Sequence, residues 1–153
     1  MIQTLGGLHL IQFWEGISLT SYLDVAGVPT IGHGHTWGVE LGQTITESQA
    51  MAFLLGDLAA ITSVVAGVAG PKTTDRQFGA MVSLGFNIGR GGFLSSTVLR
   101  QHKLGNYAAA ADAFLLWDKA TVDGALVTVE GLAKRRAAER ALYLTPDEGQ
   151  GTA

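Results

Sequence analysis

A chain of 153 residues can bury one hydrophobic core, and a hydrophobic content of 47% excludes intrinsic disorder as its general state. The formal net charge of −3 is unevenly spread: every Lys and Arg lies at or after Lys72, while the first 71 residues carry only Glu15, Asp24, Glu40, Glu47 and Asp57. So few cations exclude a nucleic-acid binder that relies on many phosphate contacts, and the absence of cysteine excludes disulfides and thiol chemistry.

Apolar stretches are interrupted by glycine, acids or polar residues short of the roughly 20 residues that span a bilayer, so the sequence reads as soluble, without stable membrane insertion. The start, MIQTLGGLHLIQFWEG, has neither a basic segment nor a small-residue cleavage site and does not read as a signal peptide. Ile2, Leu5, Leu8 and Phe13, with Leu10 and Ile11 beside them, predict an amphipathic helix that Gly16 ends in the left-handed conformation. From Ile17 the pattern changes to a β-hairpin whose turn holds Asp24 and Gly27; Pro29 cannot donate to a ladder and places its arm at an edge.

Thr46-Glu47-Ser48-Gln49 is a capping box that opens a long helix reaching Gly67, and Thr74-Asp75-Arg76-Gln77 opens another with Phe78, Met81, Val82, Leu84 and Phe86. Further helices are expected from about Ser96 to Leu104, from about Tyr107 to Trp117 behind an Asn106 cap, and from about Leu132 to Tyr143. Asp123-Gly124 between β-branched residues predicts a second small hairpin, and the tail from 146 to 153 reads as flexible. The organisation is α+β and single-domain: a small N-terminal lobe over about 1–45, with one helix and the β-hairpin, and a larger helical lobe over about 46–145, joined by the long helix.

Glu15 stands at the C-terminal end of a helix, where the macrodipole mildly disfavours an anion, so its placement asks for a reason beyond helix chemistry. A hairpin folding back from that helix can present Asp24 to the same groove. Two such acids suit glycosidic cleavage, in which one protonates the leaving oxygen and the other activates water or attacks. Spacing alone also allows a solvated helix-end acid and a turn aspartate. His33 and His35 alternate, a spacing able to chelate a metal from one strand face; with no third ligand nearby, structural or substrate-lining roles are favoured and no metal is expected. Lys134, Arg135, Arg136 and Arg140 read as a solvated helix face paired with Glu139 and neighbours, and Trp14, Trp37 and Trp117 read as core.

Glu15, eight residues, Asp24, five residues, Thr30, within EGISLTSYLDVAGVPTIGHGHT, resembles the catalytic stretch of phage-type lysozymes, the endolysins of glycoside hydrolase family 24. FNIGRGGFLSST at 86–97, AADAFLLWDKA at 110–120 and GLAKRRAAERALYL at 131–144 resemble the family's helical lobe in the same order, so the likeness spans nearly the whole chain. It implies a lysozyme-like fold and a monomeric muramidase that hydrolyses the β-1,4 bond between N-acetylmuramic acid and N-acetylglucosamine in bacterial peptidoglycan, without a cofactor. Glu15 would be the general acid, Asp24 would polarise the attacking water and Thr30 would hold it, giving inversion.

The resemblance also implies an arginine of the last helix, Arg135 or Arg136, as partner of Glu15, and sugar or peptide contacts from Asn87 and Arg90 at the mouth of the cleft. Such an enzyme would wait in the host cytoplasm until released to the wall. The family commonly has an aromatic where Pro29 stands and a tyrosine where His33 stands. Two other readings are a lytic transglycosylase, which Asp24 and Thr30 argue against, and a non-catalytic wall-binding module, which intact acids argue against.

Overall fold

The computed structural model describes residues 5–147. In chain order the elements are α1 (Leu5–Glu15), β1 (Ser18–Leu23), β2 (Pro29–Gly32), α2 (Glu47–Val68), α3 (Asp75–Ile88), α4 (Arg90–Leu94), α5 (Thr97–Lys103), α6 (Tyr107–Phe114), β3 (Lys119–Val122), β4 (Ala125–Thr128) and α7 (Glu130–Leu144). Helices with two small antiparallel hairpins make the α+β class expected from the sequence. Two compact units are present: one is Ile11–Ala60, the other is built from the chain on either side of it. Their boundaries fall within α1 and α2, whereas the sequence places one boundary near residue 45.

In the Ile11–Ala60 unit, Gly16 adopts φ +71 and ends α1 with its N–H on the Gln12 carbonyl at 3.0 Å. Such a left-handed exit suits glycine, which lacks the Cβ that makes the conformation costly. β1 pairs with β2 in the register Tyr22↔Thr30 and Leu23↔Pro29, with an irregularity between Ser18 and Tyr22. The other edge of β1 is also used, since Ser21 N–H reaches Gln43 O at 2.9 Å and Ile45 N–H reaches Leu19 O at 2.9 Å. Pro29 therefore lies on the outer strand, where its missing donor costs nothing. Ile11, Ile31, Ala50, Leu54 and Leu58 form the buried centre, and Thr46 and Gln49 close the predicted capping box reciprocally at 2.8 and 3.1 Å. By length and composition α2 is apolar enough to cross a membrane, which corrects the expectation that no stretch reaches that length.

The other unit is organised on α3, whose residues from Gln77 to Gly85 are all buried. Thr74 and Gln77 form the second capping box, and Asp147 adds to it by accepting from the N–H groups of Asp75 and Arg76 at 2.8 and 3.0 Å. Pro146 accepts from Arg76, so the first residues of the expected flexible tail are tied to α3; the remainder lies outside the described residues. Three further expectations change. The segment after Asn87 is not simply a loop, because it continues into the one-turn α4 behind Gly89. The helix expected to reach Trp117 stops at Phe114, and Asn106 gives its amide to Gln101 instead of capping it. The hairpin at 119–128 forms as predicted, with φ of +50 at Asp123 and +80 at Gly124.

Arg135, Arg136 and Glu139 are buried, not a solvated face. Glu139 receives Ser83 Oγ at 2.5 Å, Arg135 Nε at 3.3 Å and Arg136 Nη2 at 3.1 Å, while Arg135 Nη2 also donates to Ser83 O at 3.3 Å. Burial pushes the Glu139 carboxyl up and the two guanidiniums pull it back. Only Lys134 with Glu130, and Arg140 with Asp112, match the surface pairing read from sequence.

A second buried polar group centres on His102. Thr73 Oγ donates to Ala69 O at 2.9 Å and so accepts from His102 Nε2 at 2.9 Å; Nδ1 is left to accept from Tyr143 Oη at 2.6 Å. Burial lowers the imidazole pKa below its ordinary 6.5 and raises that of Tyr143. Because the folded state resists a proton that the unfolded chain accepts, this site's contribution is intact above pH 6.5 and is lost as pH falls toward the lower folded value. Thermal unfolding followed from pH 7.5 to pH 5 is expected to show a falling Tm, with a shallower fall in His102→Gln; equal slopes would remove His102 as a source.

Candidate active site

Glu15 is the last residue of α1, partly exposed, and the chain after β2 passes beside it at Gly34. A Cβ built on Gly34 would lie 3.7 Å from Glu15 Oε2, so the glycine, at φ +85, passes close to the carboxylate without covering it. On one side of Gly34, His33 is buried and its Nδ1 lies 2.5 Å from Gly16 O. A carbonyl can only accept, so Nδ1 carries the proton. On the other side, His35 Nδ1 meets both carboxylate oxygens of Asp57 at 3.0 and 2.9 Å and its ring stacks on Phe53 at 4.3 Å. Phe53 and Asp57 are four residues apart and share a face of α2. The loop is thus fastened to the end of α1 and to α2.

Asp24 and Thr30 are both held by the backbone of Val28. Asp24 Oδ1 accepts from Ala26 N–H at 2.8 Å and Val28 N–H at 2.9 Å, and its own N–H reaches Val28 O at 3.0 Å. Thr30 Oγ1 donates to the same Val28 O at 2.8 Å. With its proton committed, the Thr30 hydroxyl can only accept from a further partner. Thr30 pairs with Tyr22 across the hairpin, and Asp24 follows β1 directly at the start of the turn. Among the described residues Asp24 Oδ2 takes no hydrogen bond, so one oxygen closes the turn while the other stays available.

The other residues singled out from the sequence fall elsewhere. Asn87 is exposed on the last turn of α3 and Arg90 is exposed at the start of α4. Arg135 and Arg136 belong to the buried cluster with Glu139. His33 contacts backbone instead of facing outward, and His33 and His35 lie beyond β2, each with its own protein partner, so the one-face chelating arrangement does not form. Trp37 is 85% exposed, which corrects its assignment to the core. Sequence reasoning missed Asp57, although it is the only charged residue between Glu47 and Lys72 and a lone acid in an apolar helix calls for a partner.

An acid at a helix end and a carboxylate–hydroxyl pair on a short hairpin are groups that suit a lysozyme-class glycosidase, and the comparisons with known proteins show that class. The phage lysozyme family model matches residues 12–139, and the chain belongs to that family. It is 42% identical over 137 residues to the endolysin of Acyrthosiphon pisum secondary endosymbiont phage 1, covering 90% of this chain and 94% of that one. It is 35% identical to the SAR-endolysin of Enterobacteria phage P21, over 85% of this chain and 77% of the relative. Among solved structures, the endolysin from Escherichia coli O157:H7 phage FAHEc1 superposes with a TM-score of 0.89 at 38% identity, covering 94% of each chain. The protein is a lysozyme, an enzyme that degrades cell-wall peptidoglycan.

The two jobs of Asp24 are separable. Asp24→Asn keeps an acceptor for Ala26 and Val28 and is expected to leave Tm nearly unchanged, whereas Asp24→Ala costs about 1 to 2 kcal/mol by freeing two backbone donors. Both variants are expected to lose most clearing of purified wall. Thermal unfolding and turbidity on the same samples check this, and full activity in Asp24→Asn would reduce Asp24 to a turn former.

Proposed function

We propose that this lysozyme hydrolyses the β-1,4 bond between N-acetylmuramic acid and N-acetylglucosamine with inversion, using Glu15, Asp24 and Thr30. The observation that carries the reading is the backbone of Val28, whose N–H holds one Asp24 oxygen while the other stays available, and whose carbonyl takes the Thr30 hydroxyl proton and leaves that oxygen to accept. Glu15 donates its proton to the glycosidic oxygen as the bond to the anomeric carbon breaks and positive charge builds on the sugar ring. A water on the opposite ring face gives one hydrogen bond to Thr30 Oγ1 and passes a proton to Asp24 Oδ2 as its oxygen attacks the anomeric carbon. Glu15 ends as the carboxylate and Asp24 as the acid, so charge balances, and solvent resets both. No cofactor takes part.

Asn87 and Arg90, both exposed, are candidates for contact with sugar or peptide stem. Arg135 and Arg136 are oriented by Glu139 and Ser83 within their own unit. The activity suits a phage enzyme that opens the host wall as a monomer, held in the cytoplasm until release. A lytic transglycosylase would use one acid and no water, and would have no use for the Asp24–Thr30 pair.

Digestion of purified peptidoglycan tests the reading. Wild type is expected to release reducing N-acetylmuramic ends and Glu15→Gln none above background, a loss of at least about a hundredfold. Anhydro ends would replace hydrolysis by transglycosylation, and wild-type turnover by Glu15→Gln would remove Glu15 as the acid.

A further inference from the structure

We infer that His33 is a positioning residue for the general acid, acting through the carbonyl of Gly16. The inference rests on the proposed role of Glu15, and its evidence lies wholly within the Ile11–Ala60 unit. The last carbonyls of an α-helix have no partner within the helix. At the end of α1 the Gly16 carbonyl finds one in His33 Nδ1 at 2.5 Å, from a side chain seventeen residues on and only 5% exposed. Gly16 is the residue next to Glu15, so this bond holds the Gly16–Ile17 peptide, one peptide beyond the acid, and with it the path by which the chain leaves Glu15. Besides it, the left-handed exit at φ +71 carries the Gly16 N–H bond to Gln12.

The same loop supplies the other half of the device. Gly34, directly after His33, passes Glu15 Oε2 so closely that any added Cβ would touch it, and His35 anchors the far end of the loop on Asp57. A rigid loop bonded to the backbone beside the acid, and in contact range of its carboxyl oxygen, sets the direction of the proton donor. Alignment of a reacting group to within a fraction of an ångström governs turnover more than binding, and a displacement of about 1 Å can cost on the order of a hundredfold. The tyrosine common in the family at this position cannot present a ring N–H two bonds from Cβ, so the bond to Gly16 is a property of the histidine. The sequence reading of His33 as substrate-lining gives way to this one, because a buried imidazole already bonded to backbone has little surface for a sugar.

The test uses three His33 variants and Glu15→Gln on solubilised peptidoglycan, with Tm measured for each and assays run well below it. Asn places its side-chain amide N–H where Nδ1 stood, whereas Gln places it further out and Phe has none. His33→Asn is expected to keep kcat within about threefold of wild type. His33→Gln and His33→Phe are expected to lose about tenfold to a hundredfold in kcat with KM changed less than twofold, together with a displaced alkaline limb in the pH profile of kcat/KM. If Phe fails to fold, the Asn and Gln pair decides. Wild-type kcat in folded His33→Gln, or equal losses in Asn and Gln, would overturn the inference while an inactive Glu15→Gln leaves the mechanism standing. An active Glu15→Gln would overturn the mechanism itself.

Discussion

The arrangement depends on how the chain leaves α1. A helix end exposes carbonyls that need partners, and here it also carries Glu15, the carboxyl group proposed as the general acid. Gly16 turns the backbone by a conformation other residues adopt at a cost, His33 satisfies the freed carbonyl, and Gly34 lets the loop approach Glu15 without a side chain in the way. The His35–Asp57 pair then holds that loop to α2, at a partly buried site where both carboxylate oxygens meet one ring nitrogen. These contacts join residues 17 and 22 positions apart, and all of them lie around Glu15 and the loop beside it.

The hairpin solves a different problem with the same economy. A carboxylate proposed to accept a proton has to be oriented yet not consumed by its own fold. Asp24 uses one oxygen to close the turn and leaves the other available, and the Val28 residue whose N–H it accepts also receives the Thr30 hydroxyl on its carbonyl. In the other unit, buried charge serves packing: Glu139 with two guanidiniums and Ser83 joins α7 to α3, where removing one member would strand the others in a medium that solvates them poorly.

Much of this was legible in the sequence wherever the signal is local. The two capping boxes, the Asp24–Gly27 turn, the Asp123-Gly124 hairpin and the glycine exits at 16 and 105 all rest on residue types within a few positions of one another. What was misread depends on which face of an element is covered. Arg135, Arg136 and Glu139 look like a surface until one notes that Leu132 and Tyr143 lie on the same helical stripe, which puts the charges inside. Trp37 erred the other way, since an aromatic side chain says nothing about whether anything packs on it. His102 and His35 found partners 41 and 22 residues away, separations no local pattern encodes.

The central claim is that Asp24 and Thr30 deliver water to the anomeric carbon instead of Asp24 attacking it. The direct measurement is proton NMR of a soluble glycan fragment during the first minutes of cleavage, before the new reducing end equilibrates. Inversion of a β bond predicts that the α anomer appears first. Initial appearance of the β anomer would mean retention, and would contradict the roles given to Asp24 and Thr30.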